Sequence, residues 1–156
     1  MTDRCKFVFC NDAKSDIKSI SCGVPQGSVL GPLLFLLYIN DLPNISTKLK
    51  FFLFADDTNI FFDHNNLNML EKIVNQELKK LSLWVNANRL ILNVSKTNFV
   101  VFAPKNKTSK NITIIINRHA IEKKENVKYL GVFIDTQLSF NYHIKLSIRK
   151  SQEQLA

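Results

Sequence analysis

The sequence predicts an α+β domain in which an antiparallel sheet carries helices packed on one face. Strand-length apolar runs and helix-length periodic patterns follow one another along the 156 residues, separated by short polar connections. Hydrophobic residues make up 46% of the chain and include twelve Phe, which is enough to fill a core. Mixed strands and helices joined by short connections are typical of this fold class.

The net charge indicates the class of partner, and the cysteines indicate the cellular compartment. The net charge of +8, from 21 Lys and Arg against 13 Asp and Glu, favours a polyanionic partner, either nucleic acid or an anionic membrane surface. Cys5, Cys10 and Cys22 are odd in number and lack zinc-site spacing, so we expect reduced thiols in an intracellular protein. The longest apolar run is far shorter than the about 20 residues that span a bilayer. We therefore expect a soluble protein without a membrane partner.

The first 22 residues predict a strand over residues 6–10, a polar turn and a second strand through Ile17 and Ile20. The first strand begins almost at Met1 with no element to cover it. This pattern indicates a truncated start.

Residues 23–32 form a loop that contains three of the four glycines and two of the four prolines. Its backbone is bare enough for a ligand to approach closely. Ser28 suits the N-cap and Pro32 the first turn of a helix over residues 33–39. That helix is apolar nearly all round, which predicts burial. A plain strand-to-helix connector is the alternative.

Residues 49–62 place two aromatic-rich apolar runs around Asp56 and Asp57, a pattern that predicts a β-hairpin with the two carboxylates at or near its tip. Both alternating faces of the runs are apolar, which predicts cover on both sides. Adjacent carboxylates beside such a surface repel one another unless a cation compensates. Mg²⁺, which prefers carboxylate oxygens, would do so; a solvated turn is the alternative.

The rest of the chain continues the mixed pattern. Asn65 and Asn66 suit the cap of an amphipathic helix that ends near residues 86–88. A predicted turn at residues 93–96 precedes predicted strands at 97–102, 111–117 and 126–134, and a basic helix is predicted over residues 140–156. The three histidines are isolated in sequence and have no assigned role.

Together these segments resemble the palm of a reverse transcriptase, and in particular the enzymes of non-LTR (LINE-type) retrotransposons. Residues 23–35 (GVPQGSVLGPLLF) look like motif B, and residues 54–57 (FADD) look like motif C. Residues 90–102, which include Lys96 and Thr97, are similar to motif D, and residues 129–131 (YLG) look like motif E. The motifs occur in family order over nearly all of the chain.

The resemblance implies an RNA-directed DNA polymerase that performs nucleotidyl transfer with two Mg²⁺ or Mn²⁺ ions. It implies that Asp56 is the principal metal ligand and Asp57 its supporting neighbour. Lys96 is implied as the acid for the leaving pyrophosphate, with an ordinary exposed turn lysine as the alternative.

The resemblance also implies the partners: an RNA template, a DNA primer and deoxynucleoside triphosphates, in the nucleus or cytoplasm. The residues implied to contact nucleic acid are Gln26 and Gly27 against the nascent base pair and template, Phe54 under the primer terminus, and Tyr129, Leu130 and Gly131 at the primer end.

One departure from the family pattern limits the expected activity. The motif A Asp is missing, because Asp3, Asp12 and Asp16 lie too close to motif B and in turn-like surroundings. The fingers are missing too. The sequence therefore predicts the C-terminal part of a palm over residues 1–135, the start of the thumb or a connecting helix over 136–156, and no activity for this chain alone. A noncatalytic relic that at most binds nucleic acid, or a structural domain with an Asp turn, are the rival interpretations.

Overall fold

The computed structural model of the chain describes residues 4–20, 23, 27–103 and 111–154. It contains two compact units. The first unit comprises Met1–Asp41 and Phe54–Asp57, and the second comprises Leu42–Leu53 and Thr58–Ala156. No helix within the described ranges has the length and apolar character needed to cross a membrane.

Helices and short strands alternate along the chain, which confirms the mixed fold class. The helices are α1 (Gly31–Ile39), α2 (Leu67–Ala87) and α3 (Asn141–Gln154), with 3-10 helices at Leu42–Ile45 and Val94–Lys96. The strands are β1 (Arg4–Lys6), β2 (Phe9–Cys10), β3 (Ala13–Lys14), β4 (Lys18–Ile20), β5 (Lys50–Phe54), β6 (Asp57–Phe61), β7 (Asn98–Phe99), β8 (Ile115–Ile116), β9 (His119–Ala120), β10 (Glu122–Lys123), β11 (Asn126–Tyr129) and β12 (Val132–Asp135).

The strands form separate pairs and not the continuous antiparallel sheet that the sequence predicts. In the described part of the chain the pairs are β1–β4, β2–β3, β5–β6, β7–β10, β8–β9 and β11–β12. The β7–β10 pair is parallel. Most strands are only two to four residues long, so each has few backbone groups with which to recruit a third strand.

The first unit begins with a hairpin in which the predicted strand at residues 6–10 is divided between β1 and β2, and the predicted turn is shorter because β3 occupies Ala13–Lys14. Strands β1 and β4 pair in antiparallel register, and β2 and β3 pair closer to the turn. Asn11 and Asp12 have φ of 45° and 61°, the left-handed values that a tight hairpin turn requires. Val8 and Ser15 bond through both backbone and side chain between the two pairs.

Helix α1 differs from the prediction in its cap and in its burial. The helix begins at Gly31 with Leu30 at the N-cap position, and no side chain caps it. The predicted cap at Ser28 is therefore wrong: its carbonyl, and not its side chain, accepts from Gly31 N. Only Gly31 and Ile39 are buried, so the prediction of a buried helix is wrong. An all-apolar helix needs apolar neighbours on every side, and the described hairpin side chains of this unit are themselves largely exposed.

The second unit has its core along α2. Asn66 Oδ1 accepts from the amides of Asn68 and Met69, which confirms the predicted cap, and the helix ends at Ala87 as expected. The buried core residues lie on one face of α2 and on the segments packed against it: Leu42, Leu78, Leu81, Val85, Ile112, Ile114, Ile116 and Ile121. The predicted amphipathic helix is therefore confirmed.

A buried carboxylate on α2 anchors the turn that leads into β5. Glu77 accepts hydrogen bonds from Lys80 Nζ at 2.7 and 2.9 Å. Those bonds, with a smaller contribution from the Ser46 hydroxyl, hold the pKa of the Glu77 carboxyl below its usual value of 4.5 although burial opposes this. Ser46 Oγ in turn accepts from the amides of Lys48 and Leu49 at 3.1 Å. The residues just before β5 are thus fixed to the helix.

The segment predicted as a strand over residues 111–117 has strand-like alternation but little strand pairing. The side chain of Asn75 donates to Thr113 O and accepts from Ile115 N, both at 2.8 Å. Glu71 Oε1 accepts from Thr113 N at 3.3 Å. Because side chains of α2 take these backbone groups, only Ile115–Ile116 pairs as a strand.

The connection from β12 to α3 is organised by one carboxylate. Asp135 accepts from the backbone amides of Gln137 and Ser139 at 3.0 and 3.1 Å. It also accepts from Phe140 N at 2.8 Å and Ser139 Oγ at 2.9 Å. These donors, the Ser139 amide first, hold the pKa of the Asp135 carboxyl below its usual value. Leu138 and Phe140 both have positive φ, so the turn has a defined and locally strained shape.

Candidate functional site

The two adjacent carboxylates lie at the tip of the β5–β6 hairpin, as the sequence predicts. Strand β5 ends at Phe54 and β6 begins at Asp57, so Ala55 and Asp56 alone form the connection. Ala55 has a φ of 50°, in the left-handed region that an L residue enters at a cost of roughly 1 kcal/mol. A two-residue connection leaves Asp56 in the turn and Asp57 as the first residue of the returning strand.

The strands of this hairpin have one anchored face and one open face. Phe51, Leu53 and Ile60 pack against the core of the second unit. The alternate residues Phe52 and Phe61 are exposed. The prediction that both faces are covered is therefore wrong. Alternation places every second side chain on the opposite face, and only one of those faces meets α2 and its neighbours.

Both carboxylates are accessible to a cation. Asp56 and Asp57 are exposed, and within the described ranges neither carboxylate forms an ion pair or a hydrogen bond. Two hard oxygen donors on one short turn suit Mg²⁺ or Mn²⁺. The described ranges contain no group of three or more His, Cys, Asp and Glu side chains that could hold a metal ion. Asp56 and Asp57 are thus candidate ligands that need at least one further donor.

Lys96 lies on a separate, tightly bonded turn. It ends the 3-10 helix Val94–Lys96, and its backbone amide donates to Asn93 Oδ1 at 3.2 Å. Asn93 also accepts from Ser95 Oγ at 2.8 Å and, through its carbonyl, from Thr97 Oγ1 at 2.9 Å. The ammonium group is exposed on a fixed backbone. Sequence reasoning missed the role of Asn93, although an Asn three residues before the lysine has the spacing of an N-cap.

The segment implied to hold the primer forms the turn of the β11–β12 hairpin. Tyr129 and Val132 pair across it, which leaves Leu130 and Gly131 as the connection. Their φ values are 46° and 88°. A leucine with this backbone is unusual, because such turns favour Asn, Asp or Gly. The Leu130 side chain is 50% exposed, so the turn presents an apolar group at its tip.

The motif B residues are only partly described. Gln26 lies outside the described residues. Gly27 has a φ of 83°, and a Cβ added there would meet no atom within 4 Å. A side chain at this position is therefore disfavoured by its backbone conformation and not by lack of space.

Ring contacts join strands β5 and β6 to the β11–β12 hairpin. The ring of Phe61 on β6 contacts that of Phe52 on β5 with centroids 5.2 Å apart, and that of Tyr129 on β11 with centroids 6.2 Å apart. The structure thus brings the YLG segment beside the strands of the carboxylate hairpin. Sequence reasoning missed Phe61, because the two rings in contact are far apart in sequence and only the alternation of β6 marks its face.

Comparison with known proteins identifies the family of the chain. The family described as Reverse transcriptase (RNA-dependent DNA polymerase) matches residues 3–134. The chain is 31% identical over 138 residues, 86% of its length, to a probable RNA-directed DNA polymerase from transposon X-element of Drosophila melanogaster. It is 30% identical over 138 residues, 84% of its length, to the RNA-directed DNA polymerase from mobile element jockey of the same species.

A third relative is the retrovirus-related Pol polyprotein from type-1 retrotransposable element R1 of Bradysia coprophila, 28% identical over 128 residues and 81% of the chain. The chain spans only 13–15% of the length of these relatives. No solved structure matches it. The resemblance to non-LTR retrotransposon enzymes is confirmed, and the chain belongs to the reverse transcriptase family.

Proposed function

We propose that this chain supplies part of the active site of an RNA-directed DNA polymerase, with Asp56 and Asp57 as its metal-binding carboxylates. The observation that carries the proposal is the exposed pair at the tip of a two-residue hairpin connection, inside a chain of the reverse transcriptase family. In the reaction, the primer 3′-oxygen attacks the α-phosphorus of a deoxynucleoside triphosphate. The bond to the bridging oxygen breaks, and pyrophosphate leaves.

The donor set fits a divalent cation. Reverse transcriptases generally use divalent metals, and the complete site would take two ions, Mg²⁺ or Mn²⁺, held in part by Asp56 and Asp57. When bound, such ions stabilise charge on the attacking and leaving oxygens. The contribution of this chain is to hold two carboxylates on a short turn whose strands are anchored in a core. Positioning of this kind accounts for most of catalysis in phosphoryl transfer.

The remaining residues have separate roles in the proposal. Lys96, held on the Asn93 turn, donates a proton to the leaving pyrophosphate. The residues proposed to bind the RNA template and DNA primer are Gln26, Gly27, Phe54, Tyr129, Leu130 and Gly131. Residues 1–135 would belong to the palm, and residues 136–156 to the start of the thumb or a connecting helix.

A second candidate is a nucleic-acid-binding chain without catalysis. Two observations favour it: the net charge of +8, and the lack of a third carboxylate near Asp56 and Asp57 in the described ranges. A basic surface binds nucleic acid by releasing counterions, so its affinity falls steeply as salt increases. Like the first candidate, this one would bind nucleic acid, but it would not require Mg²⁺ or Mn²⁺.

Metal binding by the chain itself tests the proposal. Mn²⁺ titration followed by electron paramagnetic resonance should show a weak site, and Asp56→Asn should weaken it at least about tenfold, because one of two anionic ligands is lost. Asp63→Asn, which alters another exposed carboxylate beyond the end of β6, is the matched control and should leave binding unchanged. Equal Mn²⁺ affinity in all three proteins, with salt-sensitive binding to an RNA–DNA duplex, would favour the noncatalytic candidate.

Primer extension on an RNA template tests the chemistry. We expect no extension by residues 1–156 alone, because two neighbouring carboxylates cannot by themselves fix two ions. A version that adds an upstream strand bearing an Asp, together with fingers, should extend the primer, and Asp56→Ala in that version should abolish synthesis while template binding is retained. Extension by residues 1–156 alone would show that another carboxylate, most plausibly Asp12 or Asp16, completes the site.

A further inference from the structure

Phe61 is the central ring of three that join two hairpins. Its ring lies at 85° to that of Phe52 and at 88° to that of Tyr129. The centroid separations of 5.2 and 6.2 Å fall within the range of favourable edge-to-face pairs. Phe52 lies on β5 and Tyr129 on β11, so the Phe61 ring connects the β5–β6 hairpin to the β11–β12 hairpin.

This connection is separate from the core of the second unit. The neighbouring residue Ile60 packs against that core, whereas Phe61 lies on the open face and is 42% exposed. Phe52 is 52% exposed. A ring in this position contributes little to core packing. Among the described aromatic residues, Phe61 contacts the rings of Phe52 and Tyr129. Its structural effect is therefore local to the two hairpins.

The position of Tyr129 determines the position of the turn that follows. Leu130 and Gly131 complete a two-residue connection in which both backbones are left-handed, a geometry with few alternatives. Four antiparallel residue pairs join β11 to β12, and the pair Tyr129–Val132 closes the turn. Whatever fixes the ring of Tyr129 beside β6 thus fixes the turn as well.

We propose that Phe61 is a positioning residue: its ring holds Tyr129, and through it the turn Leu130–Gly131, at a set place beside β6. This inference rests on the proposed function, in which that turn contacts the primer end. Phe61 itself does not contact nucleic acid. It acts through Tyr129, as the link between the strand that begins at Asp57 and the turn that holds the primer.

A double-mutant cycle on duplex binding tests the link. The probe is an RNA–DNA duplex with a recessed DNA 3′ end, bound to the full chain at low salt and followed by fluorescence anisotropy. Tyr129→Leu and Phe61→Leu should each weaken binding about three- to tenfold, the size expected for loss of one aromatic pair. The double variant should bind no more weakly than Tyr129→Leu alone, because both changes break the same contact.

Two further variants separate a ring effect from a general loss of stability. Phe61→Tyr keeps the aromatic ring at a partly exposed position and should keep the affinity. Phe102→Leu removes a ring of similar exposure, 46%, and should leave the affinity unchanged. In amide hydrogen exchange without nucleic acid, Phe61→Leu should speed exchange in residues 126–135 and not in α2. A merely structural role would speed exchange in both.

Three other outcomes of the double-mutant cycle would overturn the inference, and each identifies the step that fails. If the effects of Phe61→Leu and Tyr129→Leu multiply in the double variant, Phe61 acts independently of Tyr129. If Tyr129→Leu weakens binding and Phe61→Leu does not, the inference fails while the proposed primer contact stands. If neither variant changes affinity, the primer role of the turn fails together with the inference. The Mn²⁺ titration of Asp56→Asn then decides separately whether the proposed metal site stands.

Discussion

Helices α1 and α2 are both rich in leucine, yet α2 buries three of its apolar side chains on one face, whereas all the leucines of α1 are at least partly exposed. In α2 the leucines recur on one face, and that face packs against residues 112–121 and the turn at Leu42–Ile45. In α1 they occur all round nine residues, and Leu37 is 67% exposed. The difference shows that the sequence predicts a helix in both cases, but a predicted burial depends on neighbours that the helix sequence does not encode.

The two helices also differ in their N-terminal capping: α2 has a side-chain cap and α1 has none. Asn66 bonds two free amides of α2, and the buried Glu77 ties the middle of α2 to the turn before β5. Helix α1 has no side-chain cap and no charged residue. Local polar contacts therefore accompany apolar burial in α2, whereas α1 lacks a side-chain cap and buries only Gly31 and Ile39. Substitutions matched between the two helices can test how much each difference contributes to stability.

Truncating one leucine in each helix should give the largest contrast. Leu81 is 4% exposed in the core, so Leu81→Ala should lower the free energy of unfolding by about 2–5 kcal/mol. Leu37→Ala should change it by no more than about 0.5 kcal/mol, as for most exposed positions. Urea unfolding followed by far-UV circular dichroism measures both. A loss of similar size for Leu37→Ala would show that α1 is covered in solution.

The buried carboxylate of α2 should give an intermediate effect that depends on pH. Glu77→Gln should cost about 1–2 kcal/mol at neutral pH, because a charge-assisted hydrogen bond to Lys80 is lost. The folded-state pKa of Glu77 lies below its usual value, so its contribution is present above pH 4.5 and is lost as the pH falls through the lowered pKa. Urea midpoints measured at a series of acidic and neutral pH values follow this loss.

A matched control uses the exposed pair on α3. Glu153 bonds Arg149 in solvent, so Glu153→Gln should leave both the stability at neutral pH and its decline in acid nearly unchanged. Glu77→Gln should make the decline shallower. An equally steep decline in Glu77→Gln and in the unsubstituted chain would assign the acid sensitivity to other carboxyls, of which Asp135 is the first candidate.

The sequence predicted the structural features that depend on neighbouring residues and missed those that depend on residues far apart in the chain. The hairpin tip at Asp56 and the cap at Asn66 depend on a few neighbouring residues, and both are confirmed. The bonds of Asn75 to residues 113 and 115, and the ring contact of Phe61 with Tyr129, join positions about forty or more residues apart. No local pattern encodes such contacts. They explain why the predicted strand at 111–117 is short and why Phe61 was overlooked.

The features of the candidate site likewise separate into those that the sequence predicted and those that it did not. The turn at residues 54–57 was predicted, because short connections between apolar runs have few solutions. The turn at Leu130–Gly131 was not: residues 126–134 were predicted as one strand, which the structure divides into the paired strands β11 and β12. The roles of Asp56, Asp57 and Lys96 came from family resemblance and stay predictions. Asn93, which fixes the backbone of Lys96, could have been found from its cap spacing alone.

The caps should give the smallest contrast between the helices. Asn66→Ala removes the acceptor for two amides of α2 and should cost about 1 kcal/mol in the free energy of unfolding. Ser28→Ala should cost no more than about 0.5 kcal/mol, because the Ser28 side chain caps nothing in α1 and only its carbonyl bonds Gly31. Both are read from the same urea unfolding curves. Asn66→Asp, which keeps the acceptor and adds a charge that suits a helix N-terminus, should retain the stability. A cost for Ser28→Ala equal to that of Asn66→Ala would show that Ser28 caps α1 in solution after all, and the contrast between the two helices would then reduce to their burial alone.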